Sequence, residues 1–440
     1  MSGTRAYHPG MARRALVLLV VLSACRGREP ARADRAPEPG PDQPVAASPR
    51  IADQPPAAPA DDIHGELTVE SGQRVLRVWG TPQQMGFAHG ALLREEILEV
   101  VDDYALGVIP PATIDAAGAV YTATAHIPER LRQEAEGVVE GMRSRGSIHV
   151  DGLDRDLEAR DLLVLNAMTD LVAIGCSSVS AWGASTADDA SLAGAPVVVR
   201  NLDWSADAPL LRNQLLVVYQ PDDPTRQPVT SVAFAGYLGC LSCMNEAGVT
   251  TLFNMGYGDG AASLAGAMTG FAPANLMLRD ALERRDVDGD GASTPDDVEA
   301  AVRDATHAGS WILHVLGPDG DVPARILEVE SDGVVRRDPE ETLGPTVLAA
   351  TNHLRAKARP EPGSRWRRIE RHNATADRTY SPDTLWDLGR SLRLSEVVHT
   401  LLVEPKSRRM RLWLRTPAEG SDAATKPAAH DLRALMARAH

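Results

Sequence analysis

From residue 177 to residue 415 the sequence breaks into short apolar runs bounded by turn residues, and that texture restricts the chain to a fold built on layered sheets. The runs at 177–182, 196–201, 213–220, 232–236 and 249–254 read as strands, as do 310–316, 324–330, 346–351, 399–404 and 410–415. Ahead of them lie a strand-like stretch at 66–79, ELTVESGQRVLRVW, and three segments with apolar residues at helical spacing. The first helix covers 83–106, the second begins near Pro128 with Leu131, Ala135, Val138, Val139 and Met142 on one face, and the third covers 157–171. A helical pair at 274–285 and 295–305 separates the two groups of strands. Many antiparallel strands, with helices gathered before and between them, specify an α+β layered sandwich. No internal repeat interrupts this pattern.

The 440 residues allow two or three average domains or one large sandwich. Hydrophobic residues make up 43% of the chain but aromatic ones only 4%, so aliphatic and Ala packing must fill the core. A formal net charge of -15 argues against a nucleic-acid partner, because phosphate binding draws on clustered Lys and Arg.

Arg13 and Arg14 precede the apolar run ALVLLVVL, which is too short to cross a bilayer as a helix and reads as a signal peptide over 1–25. The tetrad Leu22-Ser23-Ala24-Cys25 resembles a bacterial lipobox, which implies lipidation of Cys25, a membrane anchor and an envelope location. Residues 26–62 are rich in Pro, Ala and Asp, a composition that buries too little apolar surface to order itself and reads as an extended tether. The folded domain is then 63–416, and 417–440 is a C-terminal tail whose end, DLRALMARAH, reads as one short helix.

With Cys25 assigned to lipid, three thiols remain: Cys176, Cys240 and Cys243. The Cys240-Leu-Ser-Cys243 pair either closes a small disulfide or stays reduced and buried, and no βαβ context supports a redox motif. Cys176 is left over as a candidate reactive thiol. It opens the run GCSSVSAWG, and the run PVVVRNLDW that follows carries Arg200 and Asp203 three residues apart. A thiol needs a base or a positive field to act as a nucleophile. Arg200 is placed to supply the field and Asp203 to orient an amine.

Six motifs occur in one order: GCSSVSAWG, VVVRNLDW, GCLSCMNEAGVTTLFN, AATNH, GSRWRR and HTLLVEPKSRRMRLWL, with GTPQQMGFAHG ahead of them. Together they resemble the isopenicillin-N acyltransferase-like family of cysteine N-terminal-nucleophile (Ntn) hydrolases over residues 66–415. The resemblance implies a four-layer αββα sandwich and a precursor that cuts itself between Gly175 and Cys176. It also implies roles: Cys176 as nucleophile and, through its freed α-amine, base; Arg200 and Asp203 on the substrate side and the amine; Asn254 as oxyanion donor; Asn352 as a second Asn beside the nucleophile; Arg365 as support of the network. Two positions depart from the family pattern, Cys243 where relatives often carry Gly and Ser177 where many carry Thr. Taken one at a time, these residues read equally as a strand-end salt bridge, turn asparagines and a small buried thiol. The implied activity is amide hydrolysis or acyl transfer on a small-molecule amide, with no cofactor for catalysis. A binding module that has lost turnover, and a lipid-amide or phospholipid hydrolase, are the alternatives.

Residues 286–297, DVDGDGASTPDD, place Asp286, Asp288, Asp290, Gly291 and Asp297 at the 1, 3, 5, 6 and 12 positions of an EF-hand-like loop. Oxygen ligands at that spacing suit a structural calcium ion. A solvated Asp-Gly turn between helices accounts for the same residues.

Overall fold

The computed structural model describes residues 63–167, 175–258, 270–337, 339–356, 363–418 and 427–437. Cys25, the signal peptide and the tether lie outside the described residues. No helix among the described residues is long and apolar enough to cross a membrane.

The chain enters through a hairpin, β1 (Gly65–Glu70) and β2 (Gln73–Gly80), where the sequence suggests one long strand. Ser71 and Gly72 both take positive φ, 52° and 82°, the conformation that closes a two-residue turn in register with strand twist. Thr81, Pro82 and Gln84 then start helix α1 (Pro82–Leu92) through a capping box with Pro in the first turn. The expected helix of 83–106 is broken into α1, Arg94–Glu99, a π-helical turn at Val100–Ala105 and Leu106–Val108. Pro111–Thr124 forms a further helix, followed by α2 (Glu129–Ser144), the short pair β3 (His149–Val150) and β4 (Arg155–Asp156), and α3 (Ala159–Ala167).

The strands that follow are β5 (Gly175–Ala181), β6 (Val197–Asp203), β7 (Gln214–Pro221), β8 (Val229–Phe234), β9 (Ser242–Asn245) and β10 (Thr250–Met255). After helices α4 (Ala274–Glu283) and α5 (Pro295–Asp304) come β11 (Trp311–Leu316), β12 (Ala324–Glu330), β13 (Gly333–Arg337) and β14 (Val347–Ala350). Helices α6 (Ser364–Thr375) and α7 (Pro382–Ser391) lead to β15 (Val397–Glu404), β16 (Arg409–Leu414) and β17 (Ala428–Asp431). Nine strands form one sheet, in the order β1-β2-β7-β8-β9-β10-β11-β12-β13. Six form the other, β14-β5-β6-β15-β16-β17. Strands β2 and β7 run parallel, and the other strand pairs of both sheets are antiparallel.

Three bodies of apolar side chains define four layers. Helices α1 to α5 pack on the outer face of the nine-stranded sheet, where Met85, Val138 and Leu278 meet Leu76, Val217 and Leu313. Leu216, Leu252 and Ile312 of that sheet meet Val198, Leu401 and Leu412 of the second between the sheets. On the far side Trp366, Ile369, Leu385 and Leu388 of α6 and α7 cover Val179, Val199 and Leu402. The fold is thus a four-layer αββα sandwich, mostly antiparallel. The 417–440 segment is more than a tail: β17 adds an edge strand to the six-stranded sheet, and Leu432, Leu435 and Met436 enter the core between the sheets. The sandwich therefore runs past 416.

Helices α1 and α2 cross closely because both carry glycines four apart. A Cβ on Gly86 or Gly90 would lie 2.0 or 1.9 Å from the carbonyl oxygens of Glu134 and Val138, and one on Gly137 or Gly141 would lie 2.4 or 2.0 Å from those of Gln83 and Phe87. We expect Gly90→Ala to cost about 3 kcal/mol in urea unfolding, since backbone cannot yield as a side chain does. Gly107→Ala, with nothing within 4 Å, is expected to change stability by less than about 1 kcal/mol.

Candidate active site

The site forms where the two sheets face each other at the start of β5. Antiparallel pairing sets Gly175 opposite Asp203 and Cys176 opposite Leu202. Because side chains alternate along a strand, Cys176, Ser178 and Ser180 of β5 and Val198, Arg200 and Leu202 of β6 face the nine-stranded sheet. Cys176 is fully buried and is the free cysteine among the described residues. Cys240 and Cys243 are joined in a disulfide, the first of the two states their spacing allows.

Arg200, also fully buried, spans the gap between the sheets. Its Nη2 donates to Cys176 Sγ at 3.3 Å and to the Phe253 carbonyl of β10, and its Nη1 donates to Ser242 Oγ of β9 at 2.5 Å. Among the described residues no carboxylate lies within ion-pair distance of this guanidinium. Burial pushes the Cys176 thiol up, Arg200 opposes that rise, Asp203 adds to it, and Arg365 opposes it. The thiol of the uncut chain is therefore held largely protonated while a cation waits beside it.

Asp203 is claimed by Arg365 at the start of α6, whose Nη1 and Nη2 donate to its two oxygens at 2.5 and 2.8 Å. A Cβ on Gly175 would lie 2.8 Å from Asp203 Oδ2, so the carboxylate is pressed against the Gly175-Cys176 peptide. Asn352 accepts the Cys176 backbone N–H on Oδ1 at 3.0 Å and donates from Nδ2 to the Met255 carbonyl at 2.8 Å. In this geometry Asn352 holds the backbone nitrogen of Cys176 itself. Asn254, on β10 next to Phe253, is fully buried, and among the described residues neither its Oδ1 nor its Nδ2 has a hydrogen-bond partner. An orphaned buried amide is costly, which makes Asn254 a candidate to receive a ligand atom. The structure thus gathers Cys176, Arg200, Asp203, Asn352 and Arg365 around one peptide bond, with Asn254 on β10 next to Phe253, whose carbonyl receives Arg200.

Other side chains join them that the sequence did not single out. Tyr257 donates its backbone N–H to the Asn352 carbonyl at 2.8 Å, and its ring meets His353 edge to face at 5.2 Å. Burial, and then Cys176, push its phenol up. Ser178 and Ser180 bracket His314 of β11 at 2.9 and 2.8 Å. Burial, and secondarily Arg337, push His314 down to about 3, which keeps it neutral. The available signal was their register: Ser178 and Ser180 sit two and four residues after Cys176 on the same strand face.

The acidic loop is a separate matter. Asp286, Asp288 and Asp290 are exposed and bring carboxylate oxygens within 4.8 Å of one another. Asp297, expected to close a calcium shell with them, is not part of that oxygen cluster and instead binds backbone donors of the loop. Its Oδ1 accepts the Val287 and Asp288 N–H groups at 2.5 and 3.3 Å, its Oδ2 accepts that of Thr294 at 2.6 Å, and it completes the capping box of α5. This buried carboxylate already satisfies four donors, counting the Thr294 hydroxyl at 3.5 Å. The four-Asp set therefore does not fit an EF-hand shell as arranged, and no step of the chemistry runs through it.

No protein-family model matches the chain. Among curated proteins it is similar to Protein dcd1B of Dictyostelium discoideum, 24% identical over 38% of this chain and 35% of that protein. It is similar as well to Protein dcd1A of the same organism, 23% identical over 48% of this chain and 49% of that protein. The matches thus span about half or less of the length of these relatives. Among solved structures, a Caenorhabditis elegans N-acylethanolamine-hydrolyzing acid amidase ortholog aligns with TM-score 0.42 and 16% identity over 52% of this chain and 93% of that one. Penicillin V acylase from Agrobacterium tumefaciens aligns with TM-score 0.35 and 13% identity over 54% and 83%. A mutant of the conjugated bile acid hydrolase from Clostridium perfringens aligns with TM-score 0.33 and 12% identity over 57% and 96%.

If Asp297 serves the backbone, Asp297→Ala in calcium-free buffer should lower unfolding stability by about 2 kcal/mol, from buried N–H groups left without an acceptor. Asp288→Ala, at an exposed carboxylate, should stay within about 0.5 kcal/mol. Chemical denaturation of both variants measures the difference.

Proposed function

We propose that this protein is a self-processing amidohydrolase whose nucleophile is Cys176 and whose acyl-enzyme is a thioester. The observation that carries the reading is the peptide Gly175-Cys176 itself: Asn352 holds its N–H, the Asp203 carboxylate lies against its Gly175 side, and Arg200 touches the thiol. In self-processing, Cys176 Sγ adds to the Gly175 carbonyl carbon and the peptide C–N bond breaks, leaving a thioester and a free α-amine. Water then releases the Gly175 carboxylate.

The new α-amine supplies what the buried thiol lacks. With an ordinary pKa of about 7.7–8.0 it can take the thiol proton near neutral pH. Cys176 Sγ then attacks the substrate carbonyl, the Asn254 amide receives the developing oxyanion, and the α-ammonium hands its proton to the leaving amine. Water hydrolyses the thioester, or a second amine accepts the acyl group. Asp203 and Asn352 hold the amine, Arg200 steadies the thiolate, and Arg365 fixes Asp203. Small N-acyl amides or amino-acid conjugates are the substrate class, and hydrolysis is the expected fate because coenzyme A thioesters are scarce outside the cytoplasm. The lipobox-like tetrad at Cys25 and the tether after it support a membrane-anchored protein of the bacterial cell envelope.

Intact mass and N-terminal sequencing of the full chain beside Cys176→Ala test this reading. A new N-terminus at Cys176 in the wild type alone is expected, with amide turnover lost at least a thousandfold in the variant, about 4 kcal/mol of barrier. A chain that stays uncut, or a variant that still turns over, would sink it. The amine must be neutral to accept a proton, so turnover should fall as pH drops below the amine's pKa. Asp203 stabilises the ammonium form and raises that pKa; Asp203→Asn should therefore move the rising limb of the pH profile to lower pH.

A further inference from the structure

Arg200 is held at two ends, and only one of them touches the thiol. Nη2 faces Cys176 Sγ and the Phe253 carbonyl. Nη1 faces Ser242 Oγ at 2.5 Å and His399 Nε2 at 3.3 Å, and those two side chains lie 3.2 Å from each other. Ser242 belongs to the nine-stranded sheet, inside the ring closed by Cys240 and Cys243, whereas His399 belongs to the six-stranded sheet opposite Leu202. The guanidinium is planar and rigid, so fixing Nη1 fixes the direction of Nη2.

We propose that Ser242 and His399 are positioning residues for the reaction: they receive one end of Arg200 so that the other stays aimed at the Cys176 thiol. The inference rests on the reading of Cys176 as nucleophile and adds two residues to its machinery. A guanidinium only donates, so His399 Nε2 accepts from it and the ring proton sits on Nδ1. Ser242 Oγ accepts from Arg200 and has its own hydrogen to give to His399. Both residues are 1% exposed, too buried for water to take over as acceptor. Burial, and secondarily Arg200, hold His399 well below the usual histidine range, so it stays an acceptor across the working pH. Among the described residues Arg200 has no carboxylate of its own, and a thiolate at Cys176 is the anion that best matches it. An arginine that swings away withdraws that support.

The charged and titratable groups facing the thiol are Arg200 and Asp203 from β6, Arg365 from α6 and Tyr257 beyond β10; Arg200 also faces Tyr237 and His399. A thiolate titration separates their effects from those of Ser242 and His399. The ultraviolet absorbance of the full chain is followed against pH, and the trace of Cys176→Ser is subtracted so that only this thiol remains. Ser242→Ala and His399→Phe should each raise the midpoint by about one unit, a roughly tenfold loss of thiolate at neutral pH. Ser242→Thr and His399→Gln keep an acceptor in place and should keep the wild-type midpoint. Truncations that melt like the wild type and titrate like it overturn the inference. Where a truncation unfolds, the conservative pair decides, because a raised midpoint despite the retained acceptor overturns it as well. A wild-type thiol that never ionises below the pH of denaturation sinks both this inference and the nucleophile reading. Midpoints that shift as expected in a chain that turns over no amide leave the positioning role standing and sink only the amidohydrolase reading.

Discussion

A guanidinium buried between two sheets, with no carboxylate among the described residues to pair with, is the constraint around which the rest of the site is arranged. Isolated buried charge is expensive, and the cost falls only where donors find acceptors in good geometry. Arg200 finds them on both walls: Ser242 and the Phe253 carbonyl on the nine-stranded sheet, His399 and Cys176 on the six-stranded one. The contact therefore ties the two sheets in register. Slipping β6 by one residue against β5 and β15 would turn Arg200 toward the face packed on α6 and α7, because alternation along the strand is strict.

The outer helical layer solves a similar problem by a different route. Arg279 of α4 is fully buried, but Glu134 and Glu283 take its donors at 2.7–3.0 Å, the Leu238 carbonyl accepts another at 2.9 Å, and the Tyr219 ring lies 3.3 Å from its Cζ. That cluster is neutralised by its own carboxylates and offers no reactive group. The two arginines differ in their partners: Arg279 faces carboxylates, whereas Arg200 faces neutral acceptors and a thiol. One charge is already matched, and the other is matched only when a thiol loses its proton.

What the sequence revealed and hid follows from how each element is stabilised. Strands β6, β7, β10, β11 and β12 are continuous apolar runs bounded by turns, and they appear within three residues of where those runs lie. Strand β9 went unseen because SCMN is four residues long and polar at both ends, a strand only because β8 and β10 pair with it. Strand β17 hid in a segment with no apolar run, held by its ladder to β16. The helix expected over 83–106 has an unbroken apolar pattern, yet it takes a π-helical turn at Val100–Ala105, which periodicity cannot foretell. Asp297 matched a ligand spacing and a capping box at once, and the cap has nearer partners. Among the site residues, those legible were the ones that form motifs in sequence. Ser242 and His399 lie within two of the motifs but 157 positions apart, and their meeting is a fact of the fold alone.

The proposed self-processing gives the orphaned Asn254 amide and the fully buried thiol one explanation. Cys176 is packed against its upstream peptide at the start of β5, so water has little access to the thiol, and on the proposed reading no free amine stands ready as base before the cut. On that reading Asn254 has nothing to bond yet, since the carbonyl it would serve carries no oxyanion before attack. Both costs, an unmet amide and a cation without an anion, are present in the chain as it stands, and the proposed addition of sulfur to a carbonyl would relieve them together. Strain held in this form is local: the double glycine crossing of α1 on α2 and the apolar cores on either side of the sheets set the frame.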